Sequence, residues 1–346
     1  MVSWISPWAL KRRGILGMNR RNCSYILRYN DRTRFPLVDN KLKTKLITRQ
    51  AGLNAPQLLQ VIRHQTEIER IEELLGEQPS FVIKPAQGSG GKGILVITGR
   101  AGADYLKSSG NVITQTDLKR HLSNTLSGLH SLGGKPDFAI IETLVVSTPS
   151  LAEHSYEGVP DIRLIVFKGY PVMGMLRLAT EDSDGKANLH QGAIGVGLDI
   201  ATGRGIAAVQ YNRPLLRHPD TGTEITHIEI PHWQELLRLA ARCYEVTGLG
   251  YLGCDIVLDE HRGPLLLELN ARPGLSIQLA NNAGLLPRLR LIESQPMFAA
   301  TVDERITFAM RHFGVADGPQ QASLFAAPKD NTADSDPAEP DARAAG

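Results

Sequence analysis

Long apolar runs are missing from this 346-residue chain. No stretch approaches the roughly 18 consecutive apolar residues of a membrane span, which excludes an integral membrane protein. Cysteine is scarce: Cys23, Cys243 and Cys254 are an odd number, widely spaced, with no C-x-x-C pair. A disulfide framework and a zinc site are excluded, and a reducing compartment is expected. The bases Lys11, Arg12 and Arg13 are not followed by the apolar stretch of a secretory signal, so the expected location is cytoplasmic. There is no internal repeat, no Ser/His/Asp or Cys/His nucleophile set, and neither the GxxxxGK[ST] nor the GxGxxG spacing.

What is present is an ordinary apolar content, 42% hydrophobic with 21% charged residues, enough for a core in about two domains. The net charge of +2 hides an asymmetry. Residues 1–49 hold twelve bases against two acids, Asp31 and Asp39, and the stretch from Asp317 to the end holds six acids against two bases. A basic block of this kind suits nucleic acid or an anionic membrane, but it lacks an RNA-binding aromatic signature and its apolar residues form no long amphipathic face, so a basic surface that draws in an anionic ligand is expected. The opening stretch to Pro36 either folds against the body or docks a partner. The tail from Asp317 has almost no large apolar residue and is expected to be disordered.

The body alternates helical and extended patterns. Helices are predicted over 41–51, 66–75, 116–129 (capped by Thr116 or Asp117) and 233–247. Strands are predicted over 81–84, 94–97 and 137–144. Two hairpins follow, 163–167 with 172–178 and 254–258 with 264–270. Strands joined by short turns and mixed with helices argue for an α+β fold rather than a doubly wound sheet.

Four constellations carry chemistry. In Phe81-Val-Ile-Lys-Pro-Ala-Gln-Gly-Ser-Gly-Gly-Lys-Gly-Ile94 a strand delivers Lys84 to Gly88, Ser89, Gly90, Gly91 and Gly93. Such a turn either is a flexible hairpin or curls its amides around an anion, with Lys84 as a point charge on phosphate. In the last hairpin Glu268 and Asn270 share a face, Leu267 and Leu269 point to the core, and Asp255 lies opposite residue 267 or 268. The three oxygen donors either hold a hard divalent cation or face water. Arg163 and Arg177 sit among apolar neighbours, which calls for a phosphate or carboxylate ligand, or for a buried ion pair with Asp161 or Glu142. Glu142 closes an apolar strand and either accepts from an adenine amino group or faces solvent.

In this order and spacing the elements resemble the ATP-grasp superfamily, most of all the RimK-like alpha-L-glutamate ligases and the sugar-transfer-associated ATP-grasp proteins. The likeness covers residues 39–290. It starts at Asp39-Asn-Lys-Leu-Lys-Thr-Lys and Gly52-Leu-Asn-Ala-Pro56, and continues through the Lys84 loop, Asp161-Ile-Arg163, Asn188-Leu-His190 and Asp255 with Glu268-Leu-Asn270. It implies two α+β subdomains clasping ATP, residues 39–145 and 146–314, between a basic segment 1–38 and a tail 315–346. It implies Lys41 and Lys84 on the phosphates, Gly88–Gly93 as a lid, and Glu142 and Leu144 at the adenine hinge. Asp255, Glu268 and Asn270 would hold Mg2+ (or Mn2+). Arg163, Arg177, Asn188 and Arg272 would meet the γ-phosphate or an acyl phosphate. The implied activity is ATP-dependent amide formation, adding glutamate or another amino acid to a peptide or small-molecule acceptor. The alternatives are a regulatory nucleotide-binding pseudoenzyme and a phosphotransferase. Only 38 residues precede Asp39, too few for the domain such enzymes usually carry there. The substrate is then bound by a protein partner, a dimer mate or the basic segment itself.

Overall fold

Two antiparallel sheets divide the apolar residues between two cores. The computed structural model describes residues 6–88, 90–131, 133–226, 228–295 and 300–315. The first sheet holds β1 (Leu58–Ile62), β2 (Phe81–Pro85), β3 (Leu95–Ala101), β4 (Asp104–Lys107), β5 (Val112–Ile113) and β6 (Ala139–Thr143), in the order β1-β6-β2-β3-β4-β5. The second holds β7 (Asp161–Phe167), β8 (Tyr170–Leu178), β9 (Ile194–Leu198), β10 (Gly205–Gln210), β11 (Arg213–Pro214), β12 (Tyr251–Asp259) and β13 (Gly263–Asn270). Its order is β11-β10-β9-β8-β7-β12-β13.

Period-two alternation sorts the first sheet's side chains. Phe81, Ile83, Ala139 and Ile141 pack on one face with Ile68, Ile71, Leu118 and Leu122 of the helices. Ile140 looks the other way, with Leu42 of helix Lys41–Gln50 and Ala86. Lys84 and Glu142, the next alternate positions, share that second face with the helix, and this places the charged groups of the site. The second core is larger. It packs β7, β8, β9 and β12 against helices Trp233–Thr247 and Val302–Phe313.

The N-terminal segment folds against the body, one of the two readings its sequence left open. Leu16, Tyr25, Ile26 and Val38 belong to the second core. Asn30 zips to β12, donating to the Tyr251 carbonyl (2.7 Å) and accepting from the Tyr251 amide (2.8 Å). Gln278 likewise brackets the backbone of Leu16, accepting its N–H (2.8 Å) and donating to its carbonyl (3.1 Å).

Other expectations shift by local chemistry. The helix expected over 66–75 is two short ones, Gln65–Glu69 and Ile71–Leu75, broken at Arg70. The next helix runs Gln115–Leu126, because Thr114 is the residue whose hydroxyl caps it, accepting from Asp117 N–H at 3.1 Å. Ile94 lies outside β3 and is 41% exposed. Helix Trp233–Thr247 and both hairpins form where the pattern put them. In the last hairpin Asp255 pairs with Glu268, but Ile256 pairs with Leu266. Leu267 is therefore the extra residue of a bulge, half-buried rather than in the core. Of the expected tail, residues 316–346 lie outside the described residues, as does Ser89.

Candidate functional site

Lys41 opens helix Lys41–Gln50, whose first turn is capped by Asn40 accepting from Lys43 N–H at 3.0 Å. The Lys41 ammonium reaches the Gly88 carbonyl (2.9 Å) and a Glu268 carboxylate oxygen (3.0 Å). One side chain thus joins the glycine turn of the first sheet to the last strand of the second. Lys45, four residues on and so on the same helical face, is buried. It donates to the Pro56 carbonyl (2.9 Å) and pairs with Glu142 (2.7 Å). The other Glu142 oxygen takes Lys84.

Glu142 is 2% exposed, which overturns the solvent alternative for it. Its burial opposes ionisation, yet the two ammonium groups outweigh that and hold its pKa below the ordinary range. Burial pushes Lys45 down. The trio carries one surplus positive charge.

The turn after Lys84 needs its glycines. Gly90, Gly91 and Gly93 have φ of +64°, +76° and +74°, where a side chain is strained. A Cβ on Gly93 would stand 2.4 Å from the His130 ring.

In the second sheet β7, β8 and β12 lie side by side, with Asp161 opposite Arg177 and Arg163 opposite Asp255. Arg163 grips Asp255 with two parallel bonds (2.7 and 2.5 Å). Arg177 bonds Asp161 (2.7 Å) and reaches Asp255 (3.0 Å). The buried ion pair with Asp161 is therefore the outcome for Arg177, and Arg163 pairs with Asp255 rather than with Asp161 or Glu142. Burial alone raises Asp255, but the two guanidinium groups win and hold it low. Burial and the neighbouring charge of Asp255 raise Asp161 despite Arg177.

Glu268, with its side chain 43% exposed, stands directly across from Asp255. Asn270 lies two residues on and accepts from the Arg272 amide at 2.9 Å. The Arg272 side chain turns to Asp39 (2.8 Å) and stacks on Phe35 at 5.0 Å. Asn188 caps the turn Leu189–Gln191, accepting from His190 N–H at 3.1 Å. The Leu144 carbonyl accepts from Arg262 at 2.9 Å. Lys41, Lys84, Gly88, Glu142 and Glu268 are thus brought together, Arg163, Arg177 and Asp255 form a neighbouring cluster, and Arg272 is drawn aside to Asp39. Among the described residues no group of three or more His, Cys, Asp or Glu is arranged to hold a metal ion. Glu268 and Asn270 remain a pair of hard oxygen donors, the type that suits Mg2+ when phosphate oxygens complete the shell.

Three groups that tie this region together were given no role of their own from the sequence. Lys45 looks like one more base in a polar helix, although its four-residue step from Lys41 was a signal. Asp39 holds Arg272. Asp259 accepts from the amides of Val146 (3.0 Å), His261 (3.1 Å) and Arg262 (3.0 Å), tying the hairpin turn to the segment that links the sheets. A cavity of about 760 Å³ opens elsewhere, beside Thr202, Glu229 and Trp233, and none of the predicted site residues lines it.

The sequence matches a family model described as sugar-transfer associated ATP-grasp over residues 20–294. A comparison with curated proteins gives no match. Among solved structures, the chain is similar to the ATP-grasp ligase PsnB complexed with minimal precursor (16% identity, TM-score 0.41), covering 81% of this chain and 62% of that one. It is also similar to D-alanyl-alanine synthetase A from Vibrio cholerae (12% identity, TM-score 0.45; 80% and 66% covered). A third is the D-cycloserine synthetase DcsG (14% identity, TM-score 0.43; 83% and 80% covered). The chain spans less than two thirds of the PsnB structure's length.

Proposed function

The chain belongs to the sugar-transfer associated ATP-grasp family, and on that premise we propose that it is an ATP-dependent carboxylate–amine ligase. Its substrates in this reading are an amino acid such as glutamate and a peptide or small-molecule acceptor. The observation that carries the reading is Lys41, whose ammonium meets both the Gly88 carbonyl (2.9 Å) and Glu268 (3.0 Å). The cationic cradle and the oxygen-rich hairpin therefore face one another across a single side chain.

Lys41 and Lys84 hold the nucleotide phosphates as point charges, and the turn Gly88–Gly93 lays its amides over them. Glu142 acts from behind: shared by Lys45 and Lys84, it fixes where the Lys84 ammonium sits. The chain just beyond it, at Leu144, lines the adenine. Glu268 and Asn270 would hold Mg2+, with Asp255 beside them, and the ion would neutralise phosphate charge. Arg163 and Asn188 meet the transferred phosphoryl group, and Arg177 steadies Asp255 and through it Arg163. Arg272 joins them on leaving Asp39.

A substrate carboxylate oxygen attacks the γ-phosphorus and ADP leaves. The amine nitrogen then attacks the acyl carbon, loses a proton and expels inorganic phosphate. No side chain becomes covalently bonded, so positioning and charge neutralisation supply the rate.

A second reading, nucleotide binding without turnover, draws on one observation: both Asp255 oxygens are already engaged by arginines. ADP release separates the two. Release that requires both an acid and an amine, with a condensed product seen by mass spectrometry, supports the ligase. Nucleotide binding with no such release across a panel of acids and amines overturns it.

A further inference from the structure

The N-terminal segment has two faces of opposite character. Its inner face is sunk in the second core through Leu16, Tyr25 and Ile26. Exposed along the segment are Trp8 (72%), Met18 (64%) and Leu27 (62%). Single exposed apolar residues are commonplace, but three large ones within twenty residues mark an interaction face. Residues 6–30 contain no acid, and Lys11, Arg12 and Arg20 stand exposed among the apolar groups, while Arg28, also exposed, pairs with Glu293 at 3.7 Å. Lys11 places its ammonium 5.3 Å from the centre of the Trp8 ring, so a base and an apolar ring are presented as one unit.

The helical geometry brings two of the apolar groups, Met18 and Leu27, nearer to one another. Met18 and Leu27 lie on one continuous helical run, Met18–Tyr29. At about 3.6 residues per turn, nine residues make roughly two and a half turns and would put them on opposite faces. The stretch Arg21–Ile26 is π-helical, with wider turns, and swings Leu27 back toward Met18. Tyr25 and Ile26 enter the core in the same turns, at 2% and 7% exposed.

We infer that this face docks the chain on an anionic lipid surface. Tryptophan, leucine and methionine enter the boundary between headgroups and acyl chains, while long basic side chains reach back to the phosphates. Apolar insertion and charge are each weak alone and together give stable attachment. A nucleic acid would use the bases and leave Leu27 and Met18 in water. No helix among the described residues is long and apolar enough to cross a membrane, so the attachment is to the surface. None of these residues belongs to the proposed nucleotide site, and the inference stands whether or not the chain is a ligase.

The full chain is sedimented at physiological salt with vesicles of mixed phosphatidylcholine and phosphatidylglycerol, and with pure phosphatidylcholine vesicles. Binding is expected to the mixed vesicles and to be far weaker to the neutral ones. Arg12→Gln with Arg20→Gln lowers the partition coefficient roughly 25-fold, from about five-fold per base. Trp8→Ser with Leu27→Ser lowers it about ten-fold. Each single variant is measured too, so that a misfolded double variant does not decide the result, and thermal midpoints identify misfolding. Absence of binding to the mixed vesicles, partition unchanged in the variants, or capture of a single-stranded oligonucleotide in preference to the vesicles overturns the inference.

Discussion

Around Glu142 two lysines share one carboxylate, whereas around Arg177 two arginines face two carboxylates. Both centres are built on buried carboxylates. The first is left with a surplus cation. The second is balanced. A surplus ammonium beside a glycine turn is ready to take a phosphate, while a balanced quartet has its charges already satisfied and acts first as structure. The comparison predicts that damage to the second centre reads mainly as lost stability and damage around the first mainly as lost nucleotide use.

The largest effect is expected from Arg177→Met. The change removes the cation between Asp161 and Asp255 and leaves two buried carboxylates with only Arg163 to answer them. Breaking a buried pair from one side costs about 3–5 kcal/mol, so the urea midpoint should fall steeply. A loss below about 1 kcal/mol would mean that the quartet is not the structural element it looks like.

Glu268→Ala comes next and falls on the other side of the comparison. The side chain is 43% exposed and faces the Lys41 ammonium, so its loss should leave the melting temperature within a degree or two. Turnover of nucleotide should drop by at least 100-fold, the scale of a lost electrostatic group at a reacting centre. Retained turnover would remove Glu268 from the site.

Lys45→Met sharpens the difference between surplus and balance. Glu142 keeps Lys84 and is not stranded, so the cost should be about 1–3 kcal/mol, clearly below that of Arg177→Met. Nucleotide affinity should weaken as well, because Lys84 is then drawn more strongly onto Glu142. Equal destabilisation by the two changes would erase the distinction between the centres.

These contrasts also mark what the chain discloses by itself. Helix Trp233–Thr247 and the pairing of Asp255 with Glu268 follow from periodicity and hairpin arithmetic, and they are local properties. The motif order was enough to place the chain in its superfamily. The bulge at Leu267 was hidden, because one extra residue leaves no mark in an apolar run. The burial of Lys45 was hidden because it depends on Glu142, 97 positions away in the chain. The second arginine cluster stayed ambiguous for the same reason: an apolar neighbourhood announces a partner without saying which. For the N-terminal segment the sequence left folding against the body and docking a partner both open, and only the contacts of Asn30 and Gln278, far away in the chain, stitch it to β12 and to the following helices. Removing residues 1–36 would therefore open the second core and is a test of folding, not of substrate use.

The smallest effect lies in the pH dependence of stability, and it separates the two aspartates of the balanced centre. Asp255 is held below its ordinary pKa, and Asp259 is brought to about 2, with burial opposing and the Arg262 side chain and three backbone N–H groups prevailing. Their contribution is present above about pH 4 and is lost as the pH falls toward 2. Asp161 is raised, so the native state keeps a proton that the unfolded chain releases at about pH 4. Its contribution is complete below that pH and is lost as the pH rises through the native value. One proton limits this slope to about 1.4 kcal/mol per pH unit. Urea denaturation from pH 3 to 8 should accordingly show stability rising on the acid side and then sagging, and Asp161→Asn should flatten the sag while leaving the acid limb in place. A sag that survives Asp161→Asn would place the surplus proton elsewhere and return Asp161 to the ordinary, fully ionised partner of Arg177.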